Sequence, residues 1–389
     1  MNILFLMKYY ELGGQEVVTN FLGSHFAAKG HQVSIATFNK PSAEMVAKHN
    51  PIISLFQLRG GYSVRKSCIS SFREILIERH IDVIINQWGL PFVPIYVAKR
   101  ASKKLNVKII SVYHHVPGVS GFLTKINNQL ENTEKGVLFC FLKFKRKILR
   151  LITKMSMCYV YNNSYRYVLL SNSYKSIFKK FTGINVPRKL VAITNPITIE
   201  HDFKYSSDLK EEEILYVGRI DFAQKRVHRI IDLWKKLEPL CPDWKLTLVG
   251  DGKERQFLEN YAKEMGLKNI CFEGFRDPKE YYRRSSLLLL TSDFEGFPLV
   301  VIESMSFGVV PIVYGSYPAV YDIIKDGVNG TIVFPVDGSY SEEEMLNSIK
   351  PLISDKLKRE EMALNAVISS NDYHIDNVCR SWDMILGNN

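Results

Sequence analysis

The 389-residue chain has little of what would mark a metal, disulfide or membrane-spanning protein. Its six cysteines, Cys68, Cys140, Cys158, Cys241, Cys271 and Cys379, are scattered and form no C-x-x-C pair. Neither a disulfide framework nor a zinc site is expected, and a reducing cytoplasm fits. No two aspartates stand one residue apart, so a paired-aspartate metal site is absent and no metal is expected. No stretch of 18 uninterrupted apolar residues is present to cross a bilayer. The opening Met1–Met7 resembles the start of a signal peptide but lacks a small-residue cleavage site and stops at Lys8, so it is expected to be a first buried strand. Gly13-Gly14 has no third glycine at the spacing of a dinucleotide fingerprint. No helix-turn-helix, RNP or zinc-finger signature points to nucleic acid.

What is present is an ordinary globular composition, 46% hydrophobic and 23% charged, at a length that suits two domains. The net charge of +11 is unevenly spread. Residues 1–200 hold 28 Lys and Arg against 9 Asp and Glu, and the remainder holds 23 against 31. Between Glu134 and Glu200 there are 13 basic residues and no acid. Within that window Phe139 to Lys154 mixes bulky apolar with basic positions. Such a segment fits an anionic membrane surface, where each nearby cation contributes about 1 kcal/mol. The alternative is a surface helix whose apolar side faces the core.

Short apolar runs alternate with helical stretches in both halves. In the first, Asn2–Leu6, Gln32–Thr37, Val83–Ile85, Val107–Val112, Tyr167–Ser171 and Leu190–Ile193 read as strands. In the second, the strands are Glu213–Gly218, Lys245–Gly250, Ile270–Phe272, Leu287–Leu290 and Val309–Val313. Helices are expected at Val227–Leu237, Phe257–Met265 and Leu299–Phe307. This alternation implies an α/β fold with two Rossmann-like, doubly wound parallel sheets and ligands at the carboxyl ends of the strands. The expected domains are 1–200, 201–370, and a C-terminal helix in 371–389 returning to the first domain.

The most informative segment follows Leu287–Leu290: Glu295, Gly296, Phe297, Pro298, Leu299, Val300 and, further on, Glu303. A buried strand, a glycine turn and a helix start make a ready anion site. Glu295 is expected ahead of the first turn and Glu303 about two turns along the axis. One carboxylate can then sit on each side of a bound phosphate, a geometry suited to a nucleotide-sugar. Gly218 and Arg219 end one strand and Lys225 follows six positions later, able to set two cations against a diphosphate leaving group. Gly250 closes the next strand, and Gly274 with Phe275 a third, where a missing Cβ lets backbone approach a ligand. In the first half, Gly14 could admit a phosphate or sugar. His114, or its neighbour His115, follows a strand end, where a ring can donate to a sugar hydroxyl or leaving oxygen.

As an ordered set these segments resemble the retaining glycosyltransferases of family 4, with two domains facing a central cleft in the GT-B architecture. The matching pieces are Gly13-Gly14, Ser111 to Pro117, Tyr216 to Lys225, Leu248 to Gly252, Glu295 to Glu303, and Ile324 to Gly330. The resemblance implies that Arg219 and Lys225 clamp the donor diphosphate and that the backbone of Phe297 to Val300 holds sugar and phosphates. It implies that Glu295 contacts the transferred sugar, Glu303 the ribose hydroxyls, and that Gly250 and Phe275 border the base. Among His114, Glu295, Arg219 and Lys225 the catalytic contacts would be made. Arg226 stands where the family usually has a glycine.

The expected activity is therefore transfer from a nucleotide-diphosphate sugar, UDP-sugar favoured, to a saccharide or lipid-linked acceptor in surface polysaccharide, lipopolysaccharide or glycolipid biosynthesis. It would proceed without cofactor or metal, in the cytoplasm or on the inner face of the cell membrane. A sugar-nucleotide epimerase, a phosphorylase, or a non-catalytic nucleotide-sugar-binding protein are the alternatives on the same fold.

Overall fold

The structure, a computed structural model, describes residues 1–11, 13–131 and 133–387, so the expected segment 371–389 runs past the described residues. The chain divides into two compact units. One begins at Met1, ends at Asn195 and takes in the chain from Val378 onward; the other is Pro196–Asn377.

Among the described residues the first unit holds seven strands: β1 (Asn2–Met7), β2 (Gln32–Thr37), β3 (Ser54–Gln57), β4 (Val83–Asn86), β5 (Lys108–Tyr113), β6 (Arg166–Leu169) and β7 (Leu190–Ala192). Their spatial order is β3-β2-β1-β4-β5-β6-β7, all parallel. The second unit holds β8 (Glu213–Val217), β9 (Lys245–Val249), β10 (Ile270–Gly274), β11 (Leu287–Leu290), β12 (Val310–Tyr314) and β13 (Thr331–Val333). They lie in the order β10-β9-β8-β11-β12-β13, again all parallel.

Sheets covered on both faces need strands apolar on both sides, which is why these strands read as continuous runs rather than alternations. Ile3 to Met7 are fully buried, as are Leu287 and Leu288. Strand order reverses between β1 and β4 and between β8 and β11, the points where open α/β sheets leave a crevice at their carboxyl ends. The helix Ile375–Leu386 buries Trp382 edge-on to Phe26, ring centroids 6.4 Å apart, and sets Asp383 3.6 Å from Lys29.

Between β5 and β6 the chain forms two helices, Gly121–Glu131 and the 27-residue Val137–Asn163. The start of the longer one packs on the shorter through Leu142, which joins Leu123, Ile126 and Leu130 in a small separate core. Toward its end Met157, Val160 and Tyr161 are buried in the unit. Phe141 and Phe144, between Phe139 and Lys154, face solvent rather than the core.

Candidate functional site

In the second unit the chain segments leaving β8, β9 and β10 meet backbone to backbone. Gly218 has φ +150° and donates its N–H to the Val249 carbonyl at 3.0 Å. Gly250 has φ +146° and donates to the Gly274 carbonyl at 2.8 Å. A Cβ on Gly250 would lie 1.8 Å from the Gly218 oxygen, so only glycine lets these strand ends close so tightly.

Asp221 organises the loop that follows. Its carboxylate accepts from the backbone N–H of Gln224 at 2.7 Å and of Lys225 at 3.0 Å, and from Arg219 Nε at 2.7 Å. Burial opposes ionisation here, but these donors hold the Asp221 carboxyl below its ordinary value. With the loop so fixed, Lys225 Nζ lies 2.6 Å from Glu295 Oε1, the two side chains 16% and 9% exposed. The Gln224 amide donates to the Phe294 carbonyl at 3.0 Å and to Glu295 Oε2 at 3.4 Å, and accepts from Arg219 at 3.2 Å. Arg219, Lys225 and Glu295 are thus brought together, each cation already paired with a carboxylate. Lys225 is half of a buried ion pair, whereas the Arg219 side chain reaches outward.

Arg226, standing where a glycine was expected, has φ +54°, the left-handed region that glycine favours. Asp293 anchors it, accepting from Arg226 Nε at 2.5 Å and from Arg229 at 2.6 Å. Arg229 also donates to the Thr291 carbonyl at 3.0 Å and lies over the Tyr340 ring at 4.3 Å. The loop keeps the glycine geometry through an ionic clamp.

After β11, Glu295, Gly296, Phe297 and Pro298 are buried, and Leu299 and Val300 half-buried. The helix Leu299–Ser306 begins there, and its N-cap residue, Pro298, gives it no side-chain cap. Its positive end therefore receives no acceptor from the side chain of the cap residue itself. Glu303 sits a little over one turn into this helix rather than the two turns expected, because Gly296 to Pro298 are not helical. It is buried, and accepts from Thr198 Oγ1 at 2.6 Å and from the Tyr282 hydroxyl at 3.5 Å. Burial pushes its carboxyl above the ordinary value, against the pull of those donors. Phe275 follows β10 and is exposed.

In the first unit Gly14 is the first residue of the helix Gly14–Ala28. The ends of β4 and β5 border a cavity of about 260 Å³ lined by Gln15, Gln87, Trp88, His114, His115 and Phe122, among others. His114 Nε2 lies 2.6 Å from Gln87 Oε1. An amide oxygen only accepts, so Nε2 carries the hydrogen and donates. The Gln87 carbonyl in turn accepts from the Gln15 amide at 3.2 Å. His115 is exposed, its ring 6.2 Å from that of Tyr113.

Burial, with His115 beside it, pushes the His114 pKa down to about 3. The unfolded chain then takes up a proton between about pH 6.5 and 3 that the folded chain does not, so stability falls as pH drops through that window. His114→Asn is expected to flatten this acid-side slope. Urea midpoints measured from pH 7.5 to 4.5 check it, and an unchanged slope in the variant contradicts it.

Asp221, Gln224, Asp293, Thr198, Tyr282 and Gln87 were not singled out from the sequence. Asp221 alone carried a local signal, an aspartate able to accept from backbone N–H groups a few residues on.

Two Rossmann-like domains, with a cation–carboxylate constellation beside an uncapped helix start at the switch point of the second, define a GT-B protein. The family model for glycosyl transferases group 1 matches residues 198–367, and that for glycosyltransferase family 4 matches residues 12–201. An uncharacterized glycosyltransferase of Haemophilus influenzae is 27% identical over 98% of both chains. The GalNAc-alpha-(1->4)-GalNAc-alpha-(1->3)-diNAcBac-PP-undecaprenol alpha-1,4-N-acetyl-D-galactosaminyltransferase of Campylobacter jejuni is 23% identical over 98% of this chain and 97% of its own. Anabaena HepE, solved in complex with UDP-glucose, shares the fold at a TM-score of 0.71 and 17% identity, with all of both chains covered. The chain belongs to glycosyltransferase family 4, and it is a glycosyltransferase.

Proposed function

We propose that this enzyme moves a sugar from a UDP-sugar to a saccharide or lipid-linked acceptor in lipopolysaccharide or exopolysaccharide biosynthesis, retaining anomeric configuration and without a metal ion. The observation that carries the reading is the Lys225–Glu295 pair, with Arg219 and the uncapped start of Leu299–Ser306 alongside. A departing diphosphate gathers charge at its bridging oxygen, and preorganised cations and N–H groups stabilise that charge without reorganising. Arg219 and Lys225 would supply the cations, a role a metal fills elsewhere, and the backbone from Gly296 to Val300 would hold the donor. Glu295, fixed by Lys225 and Gln224, would meet the hydroxyls of the transferred sugar. Glu303 would take the ribose hydroxyls, and Gly14, Gly218, Gly250 and Phe275 would border the donor. His114, neutral at working pH and with its one N–H given to Gln87, would accept from a sugar hydroxyl through Nδ1.

A carboxylate already committed to a lysine and an amide is a weak nucleophile, which supports attack by the acceptor on the face the diphosphate leaves. The UDP donor is supported by the UDP-glucose complex of HepE, and a lipid-linked acceptor by the Campylobacter enzyme's PP-undecaprenol. The basic first unit suits an acceptor presented at an anionic membrane, on its cytoplasmic side.

Thermal shift against UDP- and GDP-sugars tests the donor. At a concentration of 100 Kd the true donor stabilises the fold by about 2.7 kcal/mol, a rise of several degrees in Tm. A GDP-sugar acting alone would overturn the UDP assignment. Stabilisation with no donor hydrolysis, with and without added acceptors, would favour a binding protein instead.

A further inference from the structure

Glu303 is tied to the stretch of chain that opens the second unit, from Pro196 onward. Residues 197–203 carry no helix or strand, and three contacts fasten them along the helix Leu299–Ser306 and the chain beside it. Ile197 donates its N–H to the Tyr373 carbonyl at 2.9 Å, which fixes the start of the segment. Thr198 Oγ1 then donates to Glu303 Oε1 at 2.6 Å. Further on, His201 packs against Phe307, ring centroids 3.9 Å apart, with Nε2 3.0 Å from Ser306 Oγ. The Ser306 hydroxyl gives its hydrogen to the Glu303 carbonyl at 2.7 Å, so it accepts from His201 rather than donating to it. One segment thus braces Glu303 twice, at the carboxylate and at the backbone carbonyl.

We propose that Thr198 is a positioning residue for the nucleotide donor, a role that rests on Glu303 meeting the ribose. Its hydroxyl orients the Glu303 carboxylate for the ribose hydroxyls and so sets the preference for a ribonucleotide. The last torsion of a glutamate is intrinsically broad, and a short bond to one oxygen is what fixes the carboxylate plane. An ionised carboxylate accepts at about four positions, of which Thr198 takes one on Oε1. The Tyr282 hydroxyl, 3.5 Å from Oε2, is at the long limit of a hydrogen bond. Acceptor positions therefore remain for a pair of neighbouring ribose hydroxyls. The Thr198 backbone N–H favours the charged carboxylate as well, so the hydroxyl can be removed without stripping Glu303 of every donor.

Calorimetric binding of UDP, and of its dideoxyribose analogue lacking both ribose hydroxyls, tests this on the full chain. Wild type is expected to prefer UDP at least about tenfold, because the analogue leaves a buried carboxylate unmatched. Glu303→Gln is expected to lose most of that preference. Thr198→Val keeps the shape of the side chain without its hydroxyl, and should bring the preference to within about threefold. Thr198→Ser keeps the hydroxyl and should retain the preference. Thr198→Ala repeats the test if the valine variant melts below the assay temperature. Equal weakening of both nucleotides in Thr198→Val, with the preference intact, marks a merely structural role and overturns the proposal. Tighter UDP binding by that variant also overturns it, since the hydroxyl would then compete with the ribose. No preference in wild type, or an undiminished one in Glu303→Gln, sinks the ribose contact and Thr198 with it. Loss of the preference in Glu303→Gln alone leaves that contact standing and removes Thr198 from it.

Discussion

Lys225→Met is expected to lower kcat/KM for transfer by about a hundredfold to a thousandfold, the scale seen when one preorganised group is removed from a developing charge. Two effects are combined in that loss. The ammonium stands 2.6 Å from Glu295 in a pair that is 16% and 9% exposed, so its removal leaves a carboxylate buried without its cation. Breaking a largely buried pair from one side destabilises by about 3–5 kcal/mol, and the second unit should melt earlier. The double variant Lys225→Met with Glu295→Gln separates the two effects. With neither charge present no buried carboxylate is left bare, so much of the stability is expected to return. Activity is not, because the roles proposed for both residues, toward the diphosphate and the sugar, are still unfilled. Thermal melts and steady-state rates on the two single variants and the double make the cycle. Turnover recovering along with stability would show that the pair is a structural brace and would remove both residues from the proposed mechanism.

Why the pair was only half legible in the sequence follows from what fixes it. The runs that make β8, β9 and β11 are buried on both faces, and they announce themselves as apolar stretches, Ile214–Val217, Leu246–Val249 broken only by Thr247, and Leu287–Leu290. Gly218 and Gly250 could be placed at strand ends, and Glu295 ahead of the helix that follows β11, for that reason. β3, with only Leu55 and Phe56 apolar between Ser54 and Gln57, is an edge strand that is mostly half-buried, and it left no such run. The partners of the charged residues were hidden more deeply. That Lys225 meets Glu295 across 70 positions, or that Thr198 reaches Glu303 across 105, depends on strand order and not on spacing. The expected pair of cations open to a diphosphate therefore became two cations held by Asp221 and Glu295. Similarly, Arg226 breaks the family's loop pattern in sequence but not in structure, because Asp293 holds it in the left-handed conformation. Glu303 lies nearer the helix start than its eight-position spacing from Glu295 suggests, because the first three residues after Glu295 are not helical.

Gly250→Ala is expected to damage the second unit more than any other single methyl group. At φ +146° an alanine is strained by about 1–3 kcal/mol whatever space surrounds it. Space is also lacking, since the new Cβ would fall 1.8 Å from the Gly218 carbonyl oxygen, and backbone cannot turn aside as a long side chain can. Relieving that overlap means parting the ends of β8 and β9, a further cost of about 1–3 kcal/mol on the scale of overpacked cores. Together these lower the melting temperature of a unit this size by roughly 5–20 °C. The displaced segment is the one that starts Arg219 toward Asp221 and delivers Lys225 to Glu295, so surviving folded protein should also bind the proposed UDP-sugar donor at least about tenfold more weakly. Gly266→Ala is the control: its φ of +72° is also left-handed, but nothing lies within 4 Å of the added carbon, so it carries strain without overlap and touches no site residue. If the two variants melt together and bind donor alike, the close approach of these strand ends does not hold the donor loop in place.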